Sequence, residues 1–241
     1  MFPIRDHNPS HTTPYVTLTL IGLNIAMFLL TSPWLGGQIE LWEDLALYPV
    51  AVLNGINTWG LLSHMFLHAG LLHLGGNMLF LWIFGDNLEE QMGHGGFLLF
   101  YLLCGLAAAA AQIVVDPSSG IPMVGASGAI AGVMGGYLLM FPRARVDVVV
   151  IIIILIKIFT IPAWVMLGIW FALQLFSGYS MLGGEVGVAY FAHAGGFAAG
   201  VLLAYPVFRR RGGRAFWNRT HGHPPHRPVS YHASRIPQVR R

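Results

Sequence analysis

Residues 124–141 read VGASGAIAGVMGGYLLMF and contain no charged side chain. About 20 apolar residues in a helix cross the roughly 30 Å core of a bilayer, so this stretch is predicted to span a membrane. Its glycines recur at four-residue spacing, at Gly128, Gly132 and Gly136. Such a stripe of small residues lets a second helix pack closely against the first. The stretch therefore predicts one helix of a packed membrane bundle, with a hydroxyl group, that of Ser127, near its start.

The rest of the 241-residue chain has the same apolar character. Hydrophobic residues make up 55% of it and charged residues only 10%, whereas a soluble domain carries about 25% charged residues. This composition excludes a soluble globule, and the absence of a sustained heptad or fixed repeat excludes a coiled coil or solenoid. We predict an all-α polytopic membrane protein, a six-helix bundle over residues 16–208. The six predicted spans are about 16–32, 71–88, 96–115, 124–141, 161–177 and 187–207.

The distribution of basic residues predicts how the bundle is oriented in the membrane. Six spans place Arg5, the Arg143 to Arg145 loop and nine arginines from Arg209 onward on one side. The predicted outer loops, 33–70, 116–123 and 178–186, contain no lysine or arginine. Cytoplasmic loops are the ones enriched in these residues. We therefore expect a multi-pass protein of the plasma (inner) membrane with both termini in the cytoplasm.

Three segments lie outside the predicted spans on the cytoplasmic side. Residues 1–15 are predicted to form a short N-terminal segment. Residues 146–162, VDVVVIIIILIKIFTIP, are apolar but include two charges, and we expect an interfacial or re-entrant stretch before the fifth span. Residues 209–241 are rich in Arg, His and Pro, so we predict a disordered tail that contacts anionic lipid.

Polar residues within the predicted spans mark a candidate site, because an unsatisfied polar group in hydrocarbon costs several kcal/mol. His73 and Asn77 lie at the start of the second span, Ser127 at the start of the fourth, and His193 in the sixth. All three spans run from outside to inside, and at 1.5 Å per residue His193 lies roughly 9 Å below the outer end of its helix. The polar residues are therefore predicted to share one layer.

These residue types suit nucleophilic catalysis. A serine hydroxyl becomes a nucleophile when an imidazole accepts its proton, so Ser127 and His193 form a candidate pair. Asn77, His73 and the backbone N–H of Ser127 could stabilise the oxyanion of a tetrahedral intermediate. No Asp or Glu lies at that depth in any predicted span, so a Ser–His dyad is predicted rather than a triad.

The motifs His73-x-x-x-Asn77, Gly125-x-Ser127-Gly128 and Ala192-His193-x-x-Gly196 resemble those of the rhomboid intramembrane serine proteases, in order over about residues 60–207. The resemblance implies a serine endopeptidase with Ser127 as nucleophile, His193 as base, and His73, Asn77 and Ser127 forming the oxyanion hole. It also implies transmembrane substrates cut near the outer membrane face, next to small residues.

Two positions depart from the family pattern. Trp59 is followed by Gly60 where many members have Arg, and Ala131 stands where members often place a Tyr that supports the base. The first departure removes a stabilising residue from the first outer loop, and the second leaves open which group orients the His193 ring.

Several alternatives remain open on the sequence alone. His64 and His68 could ligate a metal with His73, and the histidines of the tail could do the same. A protein of the same fold that binds membrane clients without cutting them, or a small transporter, would carry some of these features. We expect transmembrane proteins and membrane lipids as partners, no nucleic acid, no cofactor and no metal, and the oligomeric state is not predicted.

Overall fold

A computed structural model of the chain describes residues 2–32, 35–152, 155–180 and 190–220. The protein is mostly helical, as predicted. Six long helices occupy the predicted positions: α1 (Tyr15–Thr31), α5 (Leu71–Met92), α6 (His94–Val115), α7 (Ser127–Met140), α8 (Ala163–Ser180) and α9 (Tyr190–Arg210). Short helices α2 (Ile39–Leu45), α3 (Pro49–Leu53) and α4 (Gly60–Ser63), followed by a 3₁₀ turn at His64–Phe66, lie between α1 and α5.

Three of the described helices, α6, α8 and α9, are long and apolar enough to cross a membrane by themselves. The segment Gly60–Phe66 and α5, bent by 92° relative to each other, together provide a fourth candidate. Helices α1 and α7 are apolar but shorter, at 17 and 14 residues. The structure thus supports three or four spans by length, and the count of six stays a prediction.

A three-stranded antiparallel sheet corrects the all-α prediction. Strands β1 (Phe2–Asp6), β2 (Arg145–Ile152) and β3 (Leu155–Pro162) are ordered β1-β2-β3, with Arg145 paired to Pro162 and Phe2 paired to Val149. The interfacial position expected for 146–162 stays a prediction, while the described residues of this stretch form two paired strands. The physical reason is its run of β-branched Val and Ile, which favours extended backbone.

Asp147 joins the three strands. Its side chain is 4% exposed, and its carboxylate accepts hydrogen bonds from Arg5 on β1 and Thr160 on β3, and pairs with His7. The Thr160 and His7 contacts, with that of Arg5, hold the pKa of Asp147 well below its usual range. The N-terminal segment is therefore part of the folded protein and contributes strand β1 to the sheet.

The tail prediction also needs correction. Beyond α9 the chain forms a further helix, α10 (Arg214–Thr220), so the predicted disorder is wrong for this part of residues 209–241. Phe216 packs against Phe141, and Trp217 packs against Phe208 and donates its indole N–H to the Leu139 carbonyl oxygen. Two aromatic side chains thus anchor a short segment that is otherwise polar. Residues 221–241 lie outside the described part of the chain.

Helix α7 lies at the centre of the bundle and is buried along most of its length. A Cβ on Gly196 or Gly200 of α9 would overlap the carbonyl oxygen of Gly128 or Gly132. The two backbones are therefore in direct contact, as the glycine spacing predicts. Gly135, which lies outside the predicted stripe, also faces α9, since a Cβ there would overlap the Phe197 carbonyl oxygen.

A polar network holds the N-terminal segment to helices α5 and α7. Tyr137 of α7 donates its hydroxyl proton to Asp6 at 2.6 Å, and Asn8 donates to the Tyr137 oxygen. Burial raises the pKa of the Asp6 carboxyl to about 7, and the nearby carboxyl of Asp86 acts in the same direction, although the Tyr137 hydrogen bond opposes them. Glu89 of α5 accepts the first backbone N–H groups of α1, which stabilises the start of that helix.

Candidate active site

Ser127 is the first residue of α7 and follows a backbone turn at Gly125. Gly125 has a φ of 128°, a conformation that side chains other than glycine rarely adopt. A Cβ at this position would also lie 2.8 Å from Nε2 of His73. The Gly125 N–H donates to the His64 carbonyl oxygen, which ties the turn to the segment between α1 and α5. Glycine at 125 therefore allows Ser127 and His73 to approach each other.

His193 on α9 faces Ser127 directly. Its Nε2 lies 2.8 Å from the Ser127 Oγ, which is hydrogen-bonding distance. The contact follows from the glycine packing, because Gly128, next to Ser127, and Gly196, one turn after His193, let α7 and α9 touch. The predicted nucleophile and base are thus adjacent and joined by a hydrogen bond.

The other ring nitrogen of His193 has a partner on α8. Its Nδ1 lies 2.7 Å from Oε1 of Gln174. Trp170, one turn earlier on α8, places its ring 5.9 Å from the imidazole, centre to centre. Ala131 is buried in α7. Two side chains of α8 therefore contact the imidazole that the sequence left without an orienting group.

His73 and Asn77 lie one turn apart on α5, beside the pair. Asn77 is buried and donates one amide hydrogen to the His73 carbonyl oxygen at 2.9 Å. An amide has two N–H donors, so one stays available to a ligand. Residues of the first turn of α7 likewise have backbone N–H groups without an intrahelical acceptor. These donors can stabilise a negative oxygen near Ser127.

All four predicted site residues line one cavity of about 370 Å³. Its walls also include Gly125, Gly128, Ala192 and Trp170, so much of the surface near Ser127 is small or apolar. Among the described residues that line it there is no Asp or Glu. The cavity is large enough for a short stretch of peptide, and its polar side chains include those of Ser127, His193, His73 and Asn77.

The histidines considered for metal binding have separate environments. His64 bonds through Nδ1 to the Gly60 carbonyl oxygen at 2.8 Å, whereas both ring nitrogens of His68 are buried without a hydrogen-bond partner. The rings of His68 and His73 meet edge to face at 5.0 Å. Within the described ranges no three His, Cys, Asp or Glu side chains are grouped to hold a metal ion. The tail histidines lie outside those ranges.

Sequence reasoning missed the role of α8. Gln174 had one visible signal, an amide in an otherwise apolar predicted span, where a buried polar group needs a partner. Trp170 had none, because an aromatic residue in a membrane helix usually packs against other helices or lipid. Which face of α8 meets His193 depends on the packing of three helices and cannot be read from hydropathy.

Comparison with known proteins is consistent with this geometry. Residues 56–210 match the family model of the Rhomboid domain. The chain is 33% identical over 203 residues to Rhomboid protease GluP of Bacillus subtilis (strain 168), covering 80% of this chain and 36% of that protein. It is 29% identical to the mitochondrial Rhomboid protein 1 of Saccharomyces cerevisiae, covering 78% and 52%. With Rhomboid protease GlpG of Yersinia enterocolitica it shares 26% identity, covering 79% and 62%. The matched region thus spans between about a third and three fifths of these relatives.

Proposed function

The chain belongs to the rhomboid family, and on this basis we propose that it is an intramembrane serine endopeptidase that cuts transmembrane segments of other membrane proteins. The observation that carries the proposal is the 2.8 Å contact between His193 Nε2 and Ser127 Oγ, in a bundle that includes three apolar helices long enough to cross a membrane. Polar side chains within a membrane cost free energy, so a hydroxyl and an imidazole placed together there indicate a function. Nucleophilic catalysis is a function that needs this pair.

The proposed reaction uses side chains already in contact. His193 accepts the Ser127 proton as Oγ attacks the peptide carbonyl carbon, and the carbonyl oxygen becomes an oxyanion. The free amide hydrogen of Asn77, the His73 imidazole and the Ser127 backbone N–H stabilise that oxyanion. The imidazolium then protonates the leaving amine, and water, activated by the same base, hydrolyses the acyl-enzyme.

The depth of Ser127 favours cutting near the outer membrane face. Helix α7 has 14 residues and is about 21 Å long at 1.5 Å per residue, shorter than the roughly 30 Å of a bilayer core. With its last residue near the inner boundary, Ser127 lies about 9 Å below the outer one. Water can then reach Ser127 from outside through the cavity.

The charge distribution supports the proposed orientation. Six spans with a cytoplasmic N-terminus, in a plasma membrane, leave Lys and Arg on the inner side. The tail from Arg209 would then lie beside anionic lipid of the inner leaflet. Transmembrane proteins are the proposed substrates. Small side chains next to the cut bond are proposed from the resemblance to the rhomboid proteases.

Cleavage of a reconstituted transmembrane substrate tests the proposal. Ser127→Ala and His193→Ala should each abolish turnover in protein that still folds, and the double variant should be no worse than either, because the residues act as one unit. Ser180→Ala, which changes an exposed serine at the end of α8, is the matched control and should retain wild-type activity. Binding of the substrate without cleavage by the wild type would point instead to a protein that binds clients without cutting them.

A further inference from the structure

We infer that Gln174 is a positioning residue, whose side-chain carbonyl holds the His193 imidazole with its basic nitrogen facing Ser127. The inference rests on the proposed function, because it concerns the base of that reaction. It stands on two distances at opposite sides of one ring: 2.7 Å from Nδ1 to the Gln174 Oε1, and 2.8 Å from Nε2 to the Ser127 Oγ.

These contacts select one tautomer of the imidazole. A neutral imidazole carries a hydrogen on one nitrogen and a lone pair on the other. The Gln174 Oε1 can only accept a hydrogen bond, so the hydrogen lies on Nδ1. Nε2 then presents its lone pair to the Ser127 hydroxyl, as a general base must. Without this acceptor, the ring could place its hydrogen on Nε2, which faces the nucleophile and cannot take its proton.

An amide suits this place better than a carboxylate. Ionised carboxylates within a membrane are expensive, whereas a neutral amide can accept the same hydrogen bond without a buried charge. The described residues lining the cavity include no Asp or Glu. In a Ser-His-Asp triad the Asp both orients the imidazole and stabilises its positive charge. Gln174 therefore orients the imidazole as that Asp does, but it carries no charge.

Helix α8 contacts the His193 ring through two side chains, Gln174 and Trp170. Trp170 lies one turn before Gln174, and its ring is tilted by 40° relative to the imidazole at 5.9 Å. Most of the side of α8 that faces away from the bundle is exposed, including Leu173 and Phe176. The orientation of the base therefore depends on how α8 sits against α9, and a displacement of α8 would remove the Nδ1 acceptor.

Three variants separate positioning from simple packing. Gln174→Met keeps the length of the side chain but removes the acceptor, and it should lower kcat about 10- to 100-fold with little change in KM. Gln174→Glu keeps an acceptor and should restore much of that loss. Its charge stabilises the imidazolium, so the acid limb of the kcat/KM profile should move to higher pH. Leu173→Met, at the exposed neighbouring position, is the matched control and should resemble the wild type.

A measurement without turnover completes the test. In full-length protein labelled with ¹⁵N-histidine, the His193 signals, assigned by comparison with His193→Ala, should report hydrogen on Nδ1 in the wild type and a mixture of tautomers in Gln174→Met. Wild-type kcat, pH profile and tautomer signals in Gln174→Met would overturn the inference. Failure of a fluorophosphonate to label Ser127 in the wild type would instead contradict the proposed function, while the tautomer experiment would still test the Gln174 contact.

Discussion

Replacing Gly196 by Ala is expected to damage the active site through the backbone contact between α7 and α9. The added Cβ would overlap the Gly128 carbonyl oxygen and lie 2.9 Å from its carbonyl carbon and 3.3 Å from the Ala108 Cβ. Carbon atoms prefer separations of about 3.5–4.0 Å, so α9 must move by on the order of 1 Å. Backbone atoms cannot rotate out of the way, and overpacking of this kind typically costs about 1–3 kcal/mol of stability.

The same displacement acts on catalysis, because Gly196 lies one turn after His193 and Gly128 follows Ser127. A misplacement of about 1 Å in a reacting pair can cost about 100-fold in rate. We therefore expect Gly196→Ala to lower kcat by about that factor and to lower the melting temperature. Cleavage of a reconstituted substrate, labelling of Ser127 by a fluorophosphonate and thermal unfolding in detergent would measure these effects.

Two other glycines serve as controls. Gly22 in α1 has no atom within 4 Å of a Cβ built on it, so Gly22→Ala should leave activity unchanged, and it should preserve stability or raise it by about 0.4–1 kcal/mol. At Gly136 a Cβ would meet the ends of the Leu88 and Phe100 side chains, both at 3.0 Å, and the Ala204 Cβ at 3.4 Å, but none of the nearest atoms is backbone, so Gly136→Ala should cost less than Gly196→Ala. Wild-type activity and melting temperature in Gly196→Ala would refute the direct contact between the two helices.

Three further predictions follow from other parts of the structure. Asn77→Ala should lower kcat by about 10- to 1,000-fold with little change in KM, as expected for a lost oxyanion donor, and a change confined to KM would assign the amide to substrate binding. Asp6 has a pKa raised from 3.8 to about 7 in the folded state, so the folded protein holds this proton more tightly and should lose stability as the pH rises between those values. Asp6→Asn should flatten that part of the stability profile, and an unchanged slope would remove Asp6 as its source. Cysteines introduced beyond Arg214, in a Cys104→Ser background, should be labelled only from the cytoplasmic side, and labelling from outside would contradict the proposed topology.

The positions of the apolar helices could be predicted from the sequence because hydrocarbon imposes strong rules on it. Long uncharged runs place the helices, and polar residues inside them stand out by their cost. The glycine spacing of the fourth span indicated that a second helix packs closely against it. The structure shows that this helix is α9, and the contact brings Ser127 and His193 to hydrogen-bonding distance. These features depend on local patterns and on the membrane.

The features that sequence reasoning missed depend on tertiary pairing. The run after Arg145 is apolar and β-branched, which fits a buried strand or a membrane-interface segment equally well until a partner strand is known. Its partner β1 lies near residue 1, far from it along the chain. The Asp147 carboxylate likewise contacts Arg5, His7 and Thr160. Helix α10 depends likewise on Phe216 reaching Phe141. None of these contacts leaves a periodic signal in the sequence.

The pairing of β1 with β2 also constrains the order in which the protein can be made. Arg5 and Asp147 are separated by 142 positions, so at about 5–20 residues per second the first strand waits on the order of ten seconds for its partner to leave the ribosome. In the proposed topology four helices enter the membrane during that interval, while β1 stays on the cytoplasmic side with its hydrogen-bonding edge unpaired. Sheet closure is thus a late, long-range step that follows the insertion of those four helices.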